Sequence, residues 1–137
     1  MNKYLEANII MSKFCNNYME LKKDLPIRPS EMGVLNIIVK REGKFTPLMI
    51  AELLEVSKPM ITTHIVSLEK KGYIYREVSE IDKRSFFVCP TDKAISLVEE
   101  TSKKMDMNLG KIEEAIGEKE FQDLLKLLAE TNKVLKS

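Results

Sequence analysis

The chain has 137 residues, enough for one domain with a modest core, and 22 Lys and Arg against 21 Asp and Glu leave a net charge of +1. That balance excludes a strongly basic nucleic-acid binder or an acidic disordered tail. Two cysteines exclude a disulfide framework, and no segment approaches the roughly 20 apolar residues of a membrane span. The N-terminus lacks a continuous apolar signal region, and eight methionines suit a reducing compartment, so a cytoplasmic protein is expected.

Residues 3–25 predict a helix that Pro26 stops. Tyr4, Ala7, Met11, Phe14, Tyr18, Leu21 and Leu25 alternate spacings of three and four, which is an a/d seam. So broad an apolar surface needs a partner: another helix of the same protomer, half of a dimer interface, or a mixture of the two. Residues 30–41 predict the next helix, with Ser30 as N-cap and Met32, Leu35, Ile38 and Val39 inward. Lys40 and Arg41 complement its C-terminal dipole. Lys44-Phe45 then forms a short extended piece.

From 46 to 91 the pattern is most informative. Thr46 caps a short helix to Leu54, with Pro47 at its first position and Ile50, Leu53 and Leu54 as its apolar stripe. Glu55-Val56 turns the chain, Ser57 caps a second helix, and Gly72 ends it. Ile61, Ile65 and Leu68 share one side of that helix. Pro59, Thr62, Thr63, Val66, Ser67 and Lys70, with Lys58 at the start, lie on the other. This side is slender, hydroxylated and free of acid. It suits a DNA major groove, where hydroxyls bond either base type and a methyl touches thymine. The alternative is an ordinary solvated face, but such faces usually carry several Glu and Lys.

Residues 73–78 and 85–89 switch to aromatic and β-branched content and predict a hairpin. Its polar tip, 79–85, carries Lys83 and Arg84, which can reach phosphates or a narrow minor groove. Charge distribution agrees weakly: residues 57–93 hold seven Lys and Arg against five Asp and Glu. DNA affinity should therefore be modest and salt-dependent.

Thr91 caps a long helix to about Ile116, striped by Ile95, Val98, Ser102, Met105, Leu109, Ile112 and Ile116. After Gly117, Glu118 opens a last helix with Phe121, Leu124, Leu125, Leu128 and Leu135 on one stripe. Terminal helices this apolar predict a two-fold dimer in which 1–25 and 91–137 intertwine around the 30–91 lobe. The fold class expected is mainly α (α+β): a winged helix-turn-helix with N- and C-terminal dimerisation helices, all in one domain over 1–137.

The order helix, Ser57-capped helix, Gly72, strand, Asp82-Lys83-Arg84, strand, Pro90-Thr91, helix resembles the MarR family of transcriptional regulators over nearly the whole chain. Asp82 and Arg84 match that family's Asp-x-Arg wing motif. The resemblance implies that Arg84 enters the minor groove with Asp82 buttressing it, that the protein is a homodimer reading a pseudo-palindrome, and that a small aromatic or phenolic effector releases it from DNA. Met11, Tyr18 and Arg28 are residues suited to line an effector cleft. Pro90 stands where the family usually has Leu and should end the strand cleanly. Thr63 stands where a basic residue is common.

Other chemistry finds little support. His64, the one histidine, flanks the packing face without an orienting partner, and no phosphate loop, metal-spaced Cys pair or HExxH is present. No enzyme, cofactor or metal is expected. Some relatives sense peroxide with a first-helix cysteine, and Cys15 occupies such a helix beside Lys13, Phe14 and Tyr18, but it lies mid-helix rather than at a helix N-terminus, so a small apolar filler is the favoured reading. Two alternatives stay open: a winged-helix interaction and dimerisation module that binds no DNA, and a thiol redox-sensing regulator acting through Cys15.

Overall fold

The computed structural model describes residues 2–136, so residues 1 and 137, the outer limits of the expected domain, lie outside the described residues. The chain forms two compact units that divide after Glu100.

The first unit starts with α1, Lys3–Glu20, capped by Asn2, whose Oδ1 accepts from the Tyr4 N–H at 2.8 Å. No residue of α1 is buried. The helix ends five residues short of the expected Leu25. Leu21, Lys22 and Lys23 donate to Tyr18, Met19 and Glu20 carbonyls, so a tightened i−3 turn closes the helix before Pro26 acts. Helix α2, Pro29–Lys40, begins one residue earlier than expected. Pro29 takes the first helical position, the cap falls on Arg28 rather than Ser30, and the Glu31 carboxylate accepts from the Arg28 N–H at 3.0 Å.

Helix α3, Pro47–Leu54, is capped by Thr46 and ends at Glu55 in the left-handed region, φ 56°. Ile50 and Ala51 face inward, whereas Leu53, expected on the inner stripe, is exposed. Helix α4, Lys58–Lys70, follows the Ser57 cap, and Gly72 takes φ 82° just beyond it. Gly72 lets the chain reverse here, because a Cβ would oppose that φ.

Strands β1, Ile74–Val78, and β2, Phe86–Pro90, pair antiparallel with Arg76 opposite Val88. Pro90 ends β2 as expected, as its last paired residue, opposite Ile74. On the edge of β2 away from β1, the Val88 N–H donates to the Phe45 carbonyl at 2.8 Å, so the Lys44-Phe45 segment adds a bridge to the hairpin. Val34, Leu35, Ile50, Ile61, Ile65, Leu68, Ile74 and Val88 form the core, joined by Ala94, Leu97 and Val98 at the start of α5, Asp92–Ile116. Burying each large aliphatic stabilises the lobe by about 1.5–3 kcal/mol. That core fixes α4 to α2, α3 and the hairpin.

The second unit, from Thr101, holds the distal part of α5 and helix α6, Glu118–Lys136, joined at Gly117 with φ 95°. Met105, Leu109 and Ile112 are half-buried, as are Phe121 and Leu124. Ile116, Leu125, Leu128 and Leu135 stay exposed, and no residue of α6 is buried. Among the described residues no helix is long and apolar enough to cross a membrane.

Candidate nucleic-acid interface

Helix α4 has two chemically distinct sides. Ile61, Ile65 and Leu68 are buried, and so is His64, which makes it a packing residue. Lys58, Pro59, Thr62, Thr63, Val66 and Lys70 are exposed. Thr62 donates its hydroxyl to the Lys58 carbonyl and Thr63 donates its own to the Pro59 carbonyl, each at 3.1 Å. Both hydroxyl protons are thus committed to the helix. What remains available outward is acceptor capacity and a methyl on each threonine. This narrows the expected chemistry from either base type to the amino donors of adenine or cytosine and the thymine methyl.

Ser67 is half-buried at the border, and its hydroxyl acts to lower the pKa of the Glu31 carboxyl. Met60 joins the exposed set and escaped the sequence reading. Its spacing was the available signal: Met60, Thr63, Ser67 and Lys70 run three, four, three. Glu69 flanks this side and is engaged by Arg76 Nε at 3.1 Å, so its charge is offset.

The C-terminal end of α4 is tied down from three directions. Tyr73 N–H donates to the Leu68 carbonyl at 2.9 Å. Thr91 Oγ1 donates to the Gly72 carbonyl at 2.7 Å, and Lys93 Nζ to the Lys71 carbonyl at 2.7 Å. Arg76 also lays its guanidinium 4.5 Å from the centre of the Phe86 ring. These bonds satisfy carbonyls that a helix end otherwise leaves open.

The hairpin tip is built by polar side chains. Ser79 is buried, and its Oγ accepts from the Asp82 N–H at 3.3 Å. Asp82 Oδ1 accepts from the Arg84 N–H at 3.0 Å, an Asx turn that shapes the tip. Arg84 is 94 % exposed, and Lys83 and Ile81 are also exposed. Among the described residues Lys58, Lys70 and Lys83 have no intramolecular ion-pair partner.

On the other face of the hairpin, Lys44 bridges to Glu77 at 2.8 Å, and Cys89 Sγ donates to Glu77 at 3.5 Å. The Lys44 bond raises the lysine pKa and lowers that of Glu77. Burial, then the Glu77 carboxylate, raises the Cys89 thiol above its ordinary value, so Cys89 is a packed thiol.

The remaining candidates lie elsewhere. Cys15, Met11 and Arg28 are exposed, and Tyr18 is half-buried, stacked on Phe14 at 5.7 Å with Lys22 above its ring at 4.7 Å. A concavity of about 550 Å³ is lined by Arg41, Glu42, Phe45, Met49, Glu52 and Leu53, a set that includes none of Met11, Tyr18 and Arg28. No group of three His, Cys, Asp or Glu able to hold a metal occurs among the described residues.

A tri-helical lobe with a capped, acid-free helix face and an adjoining two-stranded wing defines a winged helix-turn-helix protein. Residues 27–86 match the model of the MarR family. Over those residues the chain is similar to a family of transcription regulators. No curated protein sequence matches it. Among solved structures it is similar to FabT of Streptococcus pneumoniae in complex with DNA, at 25 % identity and TM-score 0.84 over 97 % of each chain. It shares the fold of the S. aureus MepR–DNA complex, at 21 % identity and TM-score 0.75 over 98 % of each chain. It also shares the fold of NadR in complex with 4-hydroxyphenylacetate, at 21 % identity and TM-score 0.69, covering 98 % of this chain and 94 % of that one.

Proposed function

We propose that this protein is a homodimeric, sequence-specific repressor that places α4 in the major groove and the wing in the minor groove of a pseudo-palindromic operator. One observation carries the reading: an outward α4 face with no acid, bearing Lys58, Thr62, Thr63, Val66 and Lys70, stands in the same lobe as a wing whose Arg84 is almost wholly exposed. Pro59, Met60 and Ser67 complete the helix surface, with Lys83 reaching phosphate beside the tip. Asp82 shapes the turn that presents Arg84. FabT and MepR, which have this fold, are each described in complex with DNA.

Dimerisation is supported by α1, which buries none of its residues although Leu5, Ile9, Ile10, Met11 and Phe14 are large and apolar. Leaving such surface in water is unfavourable, and a two-fold partner is the simplest cover. Two copies then present two α4 helices to half-sites about one helical turn apart. A role on DNA accords with the cytoplasmic location expected from the sequence.

An aromatic or phenolic effector that releases DNA, with Met11, Tyr18 and Arg28 as its candidate contacts, follows from the same reading; NadR is described with 4-hydroxyphenylacetate. Release through Cys15 oxidation is the second reading, favoured by the exposure of that thiol.

Selection of bound fragments from random duplex at about 50 mM salt tests the proposal. The expected result is an enriched inverted repeat. Failure to retain any duplex would favour an interaction module without DNA.

A further inference from the structure

We propose that Glu31 is a positioning residue for DNA recognition: it fixes the tilt of α4 by holding Lys71, at that helix's C-terminal cap, against the N-terminal cap of α2. The inference rests on the DNA-binding reading and adds to it a residue that never faces DNA.

Glu31 is 1 % exposed, and a buried carboxylate is costly unless paired and hydrogen-bonded. Its Oε1 accepts from the Arg28 N–H at 3.0 Å and lies 3.3 Å from Lys71 Nζ, forty residues along the chain. A capping glutamate satisfies its own helix just as well at the surface. Burial against Lys71 therefore serves something besides the cap. The backbone of Lys71 is held as well, through its carbonyl, by Lys93 Nζ at 2.7 Å. Residue 71 is thus clamped by its side chain from α2 and by its carbonyl from the start of α5.

The lever arm makes the clamp matter. Helix α4 spans 13 residues, about 20 Å at 1.5 Å per residue. A tilt of about 5° at Lys71 moves the Lys58 end by roughly 1.7 Å, beyond the roughly 0.5 Å tolerance of a recognition contact. Phosphate contacts by flexible lysines absorb such a shift, and base contacts do not. Loss of the clamp should therefore erode specificity ahead of affinity for DNA as such.

The test compares Kd for the selected operator and for a random duplex of equal length, well below the melting temperature of every variant. The proteins are the parent, Glu31→Gln, Lys71→Met and the double variant. Glu31→Gln should weaken operator binding about tenfold, the scale of one base contact, and leave random-duplex binding within about twofold. Lys71→Met should lower the ratio similarly while keeping the α2 cap, and the double variant should be no worse than either single one. Lys71→Met alone carries the test if Glu31→Gln does not fold. An unchanged operator-to-random ratio in a folded variant would overturn the proposal, as would equal losses on both duplexes. A parent chain that binds no duplex would instead overturn the DNA-binding reading, and this inference with it.

Discussion

Asp82 receives Arg84 twice on one carboxylate oxygen: the backbone N–H at 3.0 Å and the Nε at 3.5 Å. The first bond is well formed, and the second is at the outer limit of one. Asp82 therefore shapes the turn more than it restrains the guanidinium, which stays open to a nucleic acid. Exposed pairs of this kind contribute about 0–1 kcal/mol. Arg84→Ala should weaken operator binding about tenfold and reduce the salt slope by about one. Asp82→Ala should cost only about two- to threefold. Titration across a salt series checks both, and an Arg84→Ala protein that binds as the parent does would remove the wing from the interface.

Glu31 also predicts an acid-side loss of stability. Burial alone would raise its pKa, but the Ser67 hydroxyl, the Arg28 N–H and Lys71 outweigh it and hold the value below the ordinary 4.5. A carboxyl with a lowered folded pKa stabilises the fold fully above its unfolded value, and loses that contribution as pH falls through the folded one. Thermal melts should place Glu31→Gln below the parent at pH 7. The gap should shrink steadily from about pH 4.5 towards pH 2. A constant gap would mean that the carboxylate charge does not contribute.

The two cysteines should separate on labelling. Cys15 is exposed, whereas Cys89 is half-buried, donates to Glu77 and has a raised pKa. A maleimide at neutral pH should modify Cys15 first, with Cys89 slower by at least about tenfold because only the thiolate reacts. Mass spectrometry of timed samples reads the order directly. Equal rates would mean that the hairpin opens readily.

Ile10 tests the dimer, because it is large, apolar and exposed on α1. On a solvated helix Ile10→Glu would be harmless, within about 0.5 kcal/mol. In a dimer seam it should shift the protein to monomers at micromolar concentration, as read by sedimentation. A variant that stays as dimeric as the parent would place the seam elsewhere.

Local chemistry made most of this lobe legible. Thr46, Ser57, Pro47 and Gly72 announce their helix ends with side chains and φ preferences that act within a few residues. The Asp82–Arg84 turn is equally local. What escaped depends on distance in the chain. Nothing local singles out Glu31, because its partner Lys71 lies forty residues further along the chain. Leu53 fits an inner stripe by spacing yet faces outward, because α3 buries only its Ile50 and Ala51 side. Ser30 is a better cap by residue type than Arg28, but Pro29 fixes the first helical position and moves the cap back. The threonine hydroxyls on α4 looked free to donate, and the helix backbone had already taken their protons.

Groove-resolved methylation protection on the selected operator distinguishes the helix from the wing, since guanine N7 lies in the major groove and adenine N3 in the minor. A dimer with α4 in the major groove and Arg84 in the minor should give N7 protection in two patches about one helical turn apart, flanked by N3 protection that disappears with Arg84→Ala while the N7 pattern stays. N7 positions left unprotected by the bound protein, or N3 protection indifferent to Arg84, would contradict that placement.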